Sequence, residues 1–269
     1  MLEIELVEKP ETCIDVFDAT PSRVAGLSTD DIQRLPVYLG NQSVELGQLF
    51  SVTGDASDLQ QVWRGDLDTV NGIGHQLDVG HIQIEGSAGH HIGSRMSGGT
   101  IQTTGSVGDH AGSEMAGGTI HVRGNAGDLT GAAYAGGKHG QNGGVILIDG
   151  SAGNSTGKLM RRGIIAVRGD AGNCCGFLMK AGTIVVCGQV KKNAGLEMVR
   201  GTIVLGHGPD AIPAGFLAAG RHQMPVTALL DQFLNDIGFA NSLSRQQFDL
   251  YHGDQLQGGR GEMLVAPAE

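Results

Sequence analysis

Short runs of alternating apolar residues recur along the chain with a fixed spacing. The runs begin at His81, Thr100, Thr119, Val145, Ile164, Thr183 and Thr202. Every step is 19 residues except one of 26, which predicts a seven-residue insertion that we place at 138–144. An isoleucine follows each start, and a β-branched or aliphatic residue usually stands two places later, so each run predicts a short strand with one buried face. Two earlier units, from Leu49 and Val62, fit the pattern more loosely.

Glycine and methionine recur at fixed places between these runs. Glycine occupies three columns within the unit and also ends each unit. The methionine column contains Met96, Met115, Met160, Met179 and Met198, with Tyr134 in the unit that carries the insertion. In a parallel β-helix, equivalent residues stack about 4.8 Å apart, and corners need glycine for a positive φ or because a Cβ has no room. We therefore predict an all-β fold, a right-handed single-stranded parallel β-helix of about eight 19-residue glycine-rich coils.

The two ends of such a stack expose sheet edges and an apolar interior, and so they need caps. For residues 1–48 we predict a small α+β cap that starts with a strand and contains a helix near 28–35. Residues 49–210 form the predicted β-helix. Residues 211–269 contain a predicted capping helix at 225–237, which has one apolar face, and a tail that we expect to return along the stack.

Composition and charge narrow the possible functions. The 46 glycines lack the three-residue period of collagen, and 40% hydrophobic against 17% charged residues is not the composition of a disordered chain. A net charge of -10 argues against nucleic acid and anionic membranes as partners. The chain shows no apolar run of 18 residues, no signal-peptide pattern and no CxxC pair. We therefore expect a cytoplasmic protein with reduced thiols.

Other patterns that suggest chemistry have simpler explanations. The glycines lack the strand–GxGxxG–helix order of a dinucleotide site, and 153–158 (GNSTGK) is one residue short of a P-loop. One predicted corner resembles a metal site and carries His90, His91, Asp109 and His110. The same columns continue with Asp128, Asn154 and Asn173. Such ladders satisfy exposed backbone amides, so we predict turn chemistry there, no metal site, and inert thiols at Cys174 and Cys175.

Positive charge is concentrated in one part of this acidic chain. Residues 138–200 carry nine Lys and Arg against three Asp and Glu, and every other part is net negative. A basic strip on an acidic protein indicates an anionic ligand or partner surface, with a solvated basic edge as the alternative. The candidate contact residues are Lys138, Lys158, Arg161, Arg162, Lys180 and Arg200. We predict no catalytic residue, because paired carboxylates in an apolar setting and a Ser or Cys beside a base are both missing.

The stretch from Thr119 to Leu205 resembles the C subunit of formylmethanofuran dehydrogenase, above all in GNAGDLTGAAYAGGKHGQNGGVILIDGSAGNSTGKLMRRGIIAVRGDAG. The N-terminal GNQSVELGQLFSVTG and the closing GDQLQGGRGEML share the likeness, which covers most of the sequence. The C-terminal β-helix domain of the glutamate synthase large subunit is similar more distantly.

This resemblance implies a scaffold subunit of a formyltransferase/hydrolase complex, which converts formyl-tetrahydromethanopterin to formate through a formyl-methanofuran-type carrier. Its implied partners are an amidohydrolase-like subunit, a formyltransferase subunit and a further dehydrogenase-like subunit. The implied carrier has a glutamate-rich tail, which makes the basic strip a candidate contact, and this protein alone is expected to bind no cofactor. The six lysines and many glutamines favour the bacterial complex.

Three alternatives remain. One is the C subunit of a tungsten or molybdenum formylmethanofuran dehydrogenase, and a second is a glutamate-synthase-like scaffold module. The third is a β-helix enzyme or adhesin that acts on polysaccharide. The third is disfavoured because the sequence has few aromatic residues and no acidic catalytic cluster.

Overall fold

The computed structural model describes residues 1–239 and 247–267, and most of its regular structure is β-sheet. The strands are β1 (Leu2–Leu6), β2 (Ile14–Asp15), β3 (Pro36–Leu39), β4 (Gln42–Glu45), β5 (Phe50–Gly54), β6 (Gln60–Arg64), β7 (Val70–Asn71), β8 (His81–Ile84), β9 (Thr100–Thr103), β10 (Thr119–Val122), β11 (Asn142–Ile148), β12 (Arg162–Val167), β13 (Thr183–Val186), β14 (Arg200–Leu205), β15 (Leu217–His222), β16 (Phe248–Gly253) and β17 (Arg260–Val265). The helices are α1 (Pro21–Val24), α2 (Thr29–Gln33) and α3 (Pro225–Asp236), with 3-10 turns at Leu46–Gln48 and Gln255–Gln257. The predicted all-β class is confirmed.

The 19-residue repeat builds the large sheet because equivalent runs pair side by side. Strands β8 to β14 pair in parallel and in register, so that each isoleucine lies beside the isoleucine of the next repeat. The fully buried column is Ile82, Ile101, Ile120, Ile146, Ile165, Ile184 and Ile203. A second line of parallel bridges joins Leu67, Ala88, Val107, Ala126, Ala152, Ala171 and Val190. Each repeat thus pairs with the preceding one along two lines of parallel bridges, which is the architecture of a parallel β-helix. The right-handed sense of the helix and the number of about eight coils stay predictions.

The insertion lies at 134–140 and not at the predicted 138–144. The backbone amide after Gln141 donates to the Met115 carbonyl, just as the amides after Met115, Met179 and Met198 donate to the methionine one coil earlier. Gln141 therefore takes the methionine position, where it is fully buried, and Tyr134 lies half-buried outside that column. Our prediction was wrong because Tyr134-Ala-Gly-Gly copies Met115-Ala-Gly-Gly in sequence, whereas the backbone uses Gln-Asn-Gly-Gly.

Glycine serves two purposes in the coils, as predicted, but it does not hold every left-handed corner. The first purpose is a positive φ, as at Gly93 with φ +61°. The second is lack of space for a side chain: Gly127 has an ordinary φ, but a Cβ there would lie 2.7 Å from Asp109 N and 2.8 Å from the Gly108 carbonyl carbon. In two further columns of the repeat, residues other than glycine have a positive φ. The first is His91, His110, Leu129, Ser155, Cys174 and Asn193, and the second is Gln76, Arg95, Glu114, Leu159, Leu178 and Glu197.

The N-terminal strand is part of the large sheet. Strand β1 lies between β6, to which it is parallel, and β5, to which it is antiparallel. The unit predicted from Leu49 is therefore not a coil, because its strand runs against the stack. The next unit places Gln60, and not the predicted Val62, beside His81. Strands β2, β3, β4 and β7 form a second sheet. Helix α2 falls within the predicted helical stretch, and the Ser28 hydroxyl accepts from the Asp31 amide at its first turn.

The C-terminal helix forms where predicted but does not lie across the end of the stack. In α3, Leu234 is buried and belongs to a separate apolar cluster, whereas Leu229 is 68% exposed. That cluster includes the outward-facing Leu147, Ala166, Val185 and Val204 of successive strands. The helix packs on this outer face because the side chains of the face are apolar and would otherwise be exposed to water. No helix of the described residues is long and apolar enough to cross a membrane.

The end of the stack is closed by strands. Strand β17 pairs in parallel with β14, and β16 and β15 then add in antiparallel fashion. The tail that we expected to return along the stack instead extends it, because the open edge of β14 offers unpaired backbone groups.

We expect the substitution Gly127→Ala to destabilise the full-length protein by about 1–3 kcal/mol, because the new methyl group would press on the backbone of the preceding coil. The control is Gly208→Ala, where φ is ordinary and a Cβ meets only Val265 Cγ1 at 3.7 Å. Urea unfolding followed by circular dichroism measures both variants. Equal stability of the two would contradict this steric explanation.

Candidate functional site

The polar corner columns bind backbone amides, as predicted. The Asp109 amide donates to His90 Nδ1 at 2.9 Å, and the Asp128 amide donates to Asp109 Oδ1 at 2.8 Å. The ladder continues through Asn154, Asn173 and Lys192. A second ladder, which we did not predict, runs through Ser87, Ser106, Asn125, Ser151, Asp170 and Gln189. Within residues 1–239 and 247–267, no group of three or more His, Cys, Asp or Glu could hold a metal ion.

The inserted loop brings part of the basic strip together. Lys180 Nζ donates to the Lys138 carbonyl at 2.8 Å and lies 3.4 Å from His139 Nδ1. Arg161 Nη1 lies 3.4 Å from His139 Nε2, on the other side of the ring. We call Lys138, His139, Arg161 and Lys180 the cation cluster. His139 was not among the predicted residues, although its place in the inserted loop beside Lys138 was a signal for it.

The cation cluster has more positive charge than its own residues can neutralise. Partial desolvation and the charges of Lys180, Arg161 and Lys138 lower the pKa of His139, so the imidazole is neutral near pH 7. A neutral imidazole has one acceptor nitrogen, and it can therefore accept from Arg161 or from Lys180 but not from both. In the part of the sequence that the structure describes, none of these side chains forms an ion pair. The arrangement suits an anion that accepts from both cations.

The other candidate residues lie outside this cluster. Lys158 Nζ is 5.8 Å from the centre of the Phe177 ring. Arg162 is exposed at the start of β12, and Arg200, at the start of β14, pairs in register with Arg260 of β17. The structure thus assembles Lys138, Arg161 and Lys180, but it does not place Arg200 among the side chains that contact His139.

A second polar cluster lies where the N-terminal segment meets the coil corners. A cavity of about 370 Å³ is lined by Phe17, His75, His91, Arg95 and Tyr134, which we call the histidine pocket. His91 Nδ1 is 2.9 Å from the Tyr134 hydroxyl, and His75 Nδ1 is 2.7 Å from the Ser94 hydroxyl. We predicted turn chemistry for His91, and placing Tyr134 in the buried methionine column hid this pocket.

The two histidines and the tyrosine of the pocket are uncharged near neutral pH. Burial lowers the pKa of His75 and of His91 and raises the pKa of the Tyr134 phenol. The guanidinium of Arg95 lies 2.9 Å from the Glu114 carboxylate and over the Tyr134 ring, 5.4 Å from its centre. The pocket therefore presents neutral rings and one cation whose charge is already balanced.

The two adjacent cysteines differ sharply in burial. Cys175 is fully buried, and desolvation raises the pKa of its thiol to about 12, whereas Cys174 is partly exposed. The thiolate is the reactive form of cysteine, so Cys175 has the inert environment that the sequence predicted.

The comparisons with known proteins agree with the sequence resemblance. No protein-family model matches the chain. The C subunit of the tungsten-containing formylmethanofuran dehydrogenase 2 of Methanothermobacter marburgensis is 35% identical over 84 residues, which are 30% of this chain and 31% of that protein. The C subunit of the molybdenum-containing formylmethanofuran dehydrogenase 1 of Methanosarcina barkeri is 40% identical over 101 residues, 34% of this chain and 33% of that protein. The aligned region thus spans about a third of these curated relatives.

A solved structure matches over the whole length. It is the X-ray crystal structure of the formyltransferase/hydrolase complex (FhcABCD) from Methylorubrum extorquens in complex with methylofuran. The matched polypeptide is 30% identical to this one with a TM-score of 0.90, and the match covers 99% of this chain and 100% of that chain.

We expect Cys175 in the folded full-length protein to react with iodoacetamide at pH 8 at least about a hundredfold more slowly than the exposed Cys13, because so little of a buried thiol with a raised pKa is ionised. Mass spectrometry of the peptides measures both rates, and unfolding in urea should remove the difference. Equally fast labelling of the two cysteines without urea would contradict the buried position.

Proposed function

This chain belongs to the family of formylmethanofuran dehydrogenase C subunits, and from that membership we propose that it is the structural C subunit of a formyltransferase/hydrolase complex. The reaction would convert formyl-tetrahydromethanopterin to formate through a formyl-methanofuran-type carrier. The observation that carries the proposal is the match to the Methylorubrum extorquens complex, which covers both chains almost completely at a TM-score of 0.90. A likeness of the repeat alone would not extend over both ends.

We infer that the chemistry takes place on partner subunits, namely an amidohydrolase-like subunit, a formyltransferase subunit and a dehydrogenase-like subunit. In the described part of this protein, the corner carboxylates Asp109, Asp128 and Asp170 accept hydrogen bonds from backbone amides. These carboxylates hold the coils together, which is a structural task. The remaining polar clusters offer neutral imidazoles and unneutralised cations, which suit binding.

The cation cluster is the proposed contact for an anionic group. A carboxylate placed beside His139 would accept from both Arg161 and Lys180, which the single acceptor nitrogen of the imidazole does not allow. Such carboxylates are present on a glutamate-rich carrier tail and on an acidic surface of a partner protein. The neighbouring Methylorubrum extorquens structure contains methylofuran, which supports the carrier as the ligand of the complex.

The second candidate is the C subunit of a tungsten or molybdenum formylmethanofuran dehydrogenase. The specific observation in its favour is the identity of 35% and 40% to the two curated archaeal subunits. These alignments cover about a third of each protein, whereas the match to the formyltransferase/hydrolase complex extends over the whole chain. We therefore place the hydrolase complex first.

Purification of the tagged protein from its own cells at native expression level tests the assembly. We expect an amidohydrolase-like protein and a formyltransferase to co-purify with it in a fixed ratio. A partner that carries molybdopterin would move the assignment to the dehydrogenase. A glutaminase-type partner, or recovery of the tagged protein alone, would contradict both candidates.

Reversal of two charges tests the cation cluster within the intact complex. We expect Arg161→Glu with Lys180→Glu to weaken retention of the carrier, or assembly of the complex, by about tenfold or more, which corresponds to about 1.4 kcal/mol. The control is Lys191→Glu with Lys192→Glu, which makes a charge change of the same size on the exposed corner that follows Val190. Unchanged assembly, carrier content and turnover in the first variant would remove the role of the cluster without affecting the family assignment.

A further inference from the structure

The histidine pocket, formed by Phe17, His75, His91, Arg95 and Tyr134, has no role in the proposed scaffold function. We propose that it is a binding site for a small, neutral aromatic compound with a hydrogen-bonding group, such as an aromatic amide. The proposal stands on the geometry of the pocket and does not depend on the identity of the complex.

The size and walls of the pocket fit a flat ring. Its volume of about 370 Å³ falls within the range of small-molecule sites, about 300–1,000 Å³. The Phe17 and His75 rings meet edge to face at 5.0 Å between centres. Tyr134 in turn stacks on His110, which does not line the pocket, at 4.9 Å between ring centres. Aromatic rings prefer such neighbours at separations of about 4.5–7 Å, so a planar ligand would extend an existing row of rings.

Two imidazole nitrogens remain for the ligand. The Nδ1 atoms of His75 and His91 are occupied by the hydroxyls of Ser94 and Tyr134, and Ser94 is itself completely buried. A hydrogen bond at Nδ1 fixes the orientation of an imidazole ring and determines the role of its other nitrogen. Neither Nε2 atom has a hydrogen-bond partner within the described residues. A group that both donates and accepts, as an amide does, can pair with either form of these nitrogens.

The charge of the pocket favours a neutral ligand. Arg95 is paired with Glu114 at 2.9 Å, so its charge is already compensated. The groups around His91 are His110, His90, Asp15 and Asp109, and those around His75 include Arg95 and Arg23. Burial keeps both histidines neutral near pH 7. A carboxylate or an ammonium ion would lose hydration without meeting an unpaired charge of opposite sign among the residues that line the pocket.

Titration of the full-length protein with benzamide, benzoate and benzylamine at pH 7.5 tests the proposal. With histidine labelled by ¹³C and ¹⁵N, we expect benzamide to shift the ring signals of His75 and His91 saturably. Benzoate and benzylamine should bind at least about fivefold more weakly. No saturable shift with benzamide, or equal or tighter binding of either charged compound, would overturn the assignment. This comparison uses the unaltered protein and needs no variant.

Two matched substitutions show whether benzamide affinity depends on a histidine of the pocket or on any histidine of the protein. His91→Phe keeps a ring but removes both nitrogens, and His81→Phe makes the same change at a histidine that does not line the pocket, where Nδ1 is 2.6 Å from the Thr100 hydroxyl. We expect benzamide affinity to fall about tenfold in the first variant and to change less than twofold in the second. An equal loss in both, with circular dichroism showing both folded, would overturn the role of His91.

Discussion

In-register stacking of the coils is the constraint on which the rest of this structure depends. Each residue lies directly above its equivalent in the preceding repeat, so a side chain is acceptable only if the same column can hold it again. Isoleucine satisfies this condition inside, and Asp, Asn and Ser satisfy it at the corners, where each side chain accepts from the amide one coil further along. Glycine is required where the backbone of the preceding coil occupies the space of a Cβ, as at Gly127.

The two candidate binding clusters both arise where this repetition is interrupted. The residues 134–140 have no equivalent in the neighbouring coils, so their side chains are free of the column rule. Tyr134 begins this loop and forms a wall of the histidine pocket, while Lys138 and His139 near its end meet Arg161 and Lys180. The loop is anchored at both clusters, because the Tyr134 amide donates to Glu114 and Lys180 donates to the Lys138 carbonyl.

Prediction from sequence succeeded where the repeat decides the structure and failed where a local likeness competed with it. The isoleucine column and the corner ladder at Asp109 followed from periodicity alone. The insertion was misplaced because Tyr134-Ala-Gly-Gly imitates the preceding Met-Ala-Gly-Gly, and only the backbone hydrogen bonds distinguish the two alignments. The position of α3 was also missed, because an apolar helical face does not specify which surface it covers. The pocket joins Phe17 to Tyr134 across more than a hundred residues, and no spacing pattern indicates such a contact.

The same close stacking suggests what this protein contributes to a complex. Sliding one coil past another would place a Cβ of one column against glycine backbone of the next, and it would break both polar corner ladders at once. The coils therefore hold one register, and a group attached to them keeps its position relative to every other coil. Such a body provides fixed positions for its partners. Binding at the inserted loop then depends on groups whose backbone is held in place, which lowers the entropy lost when a ligand is bound.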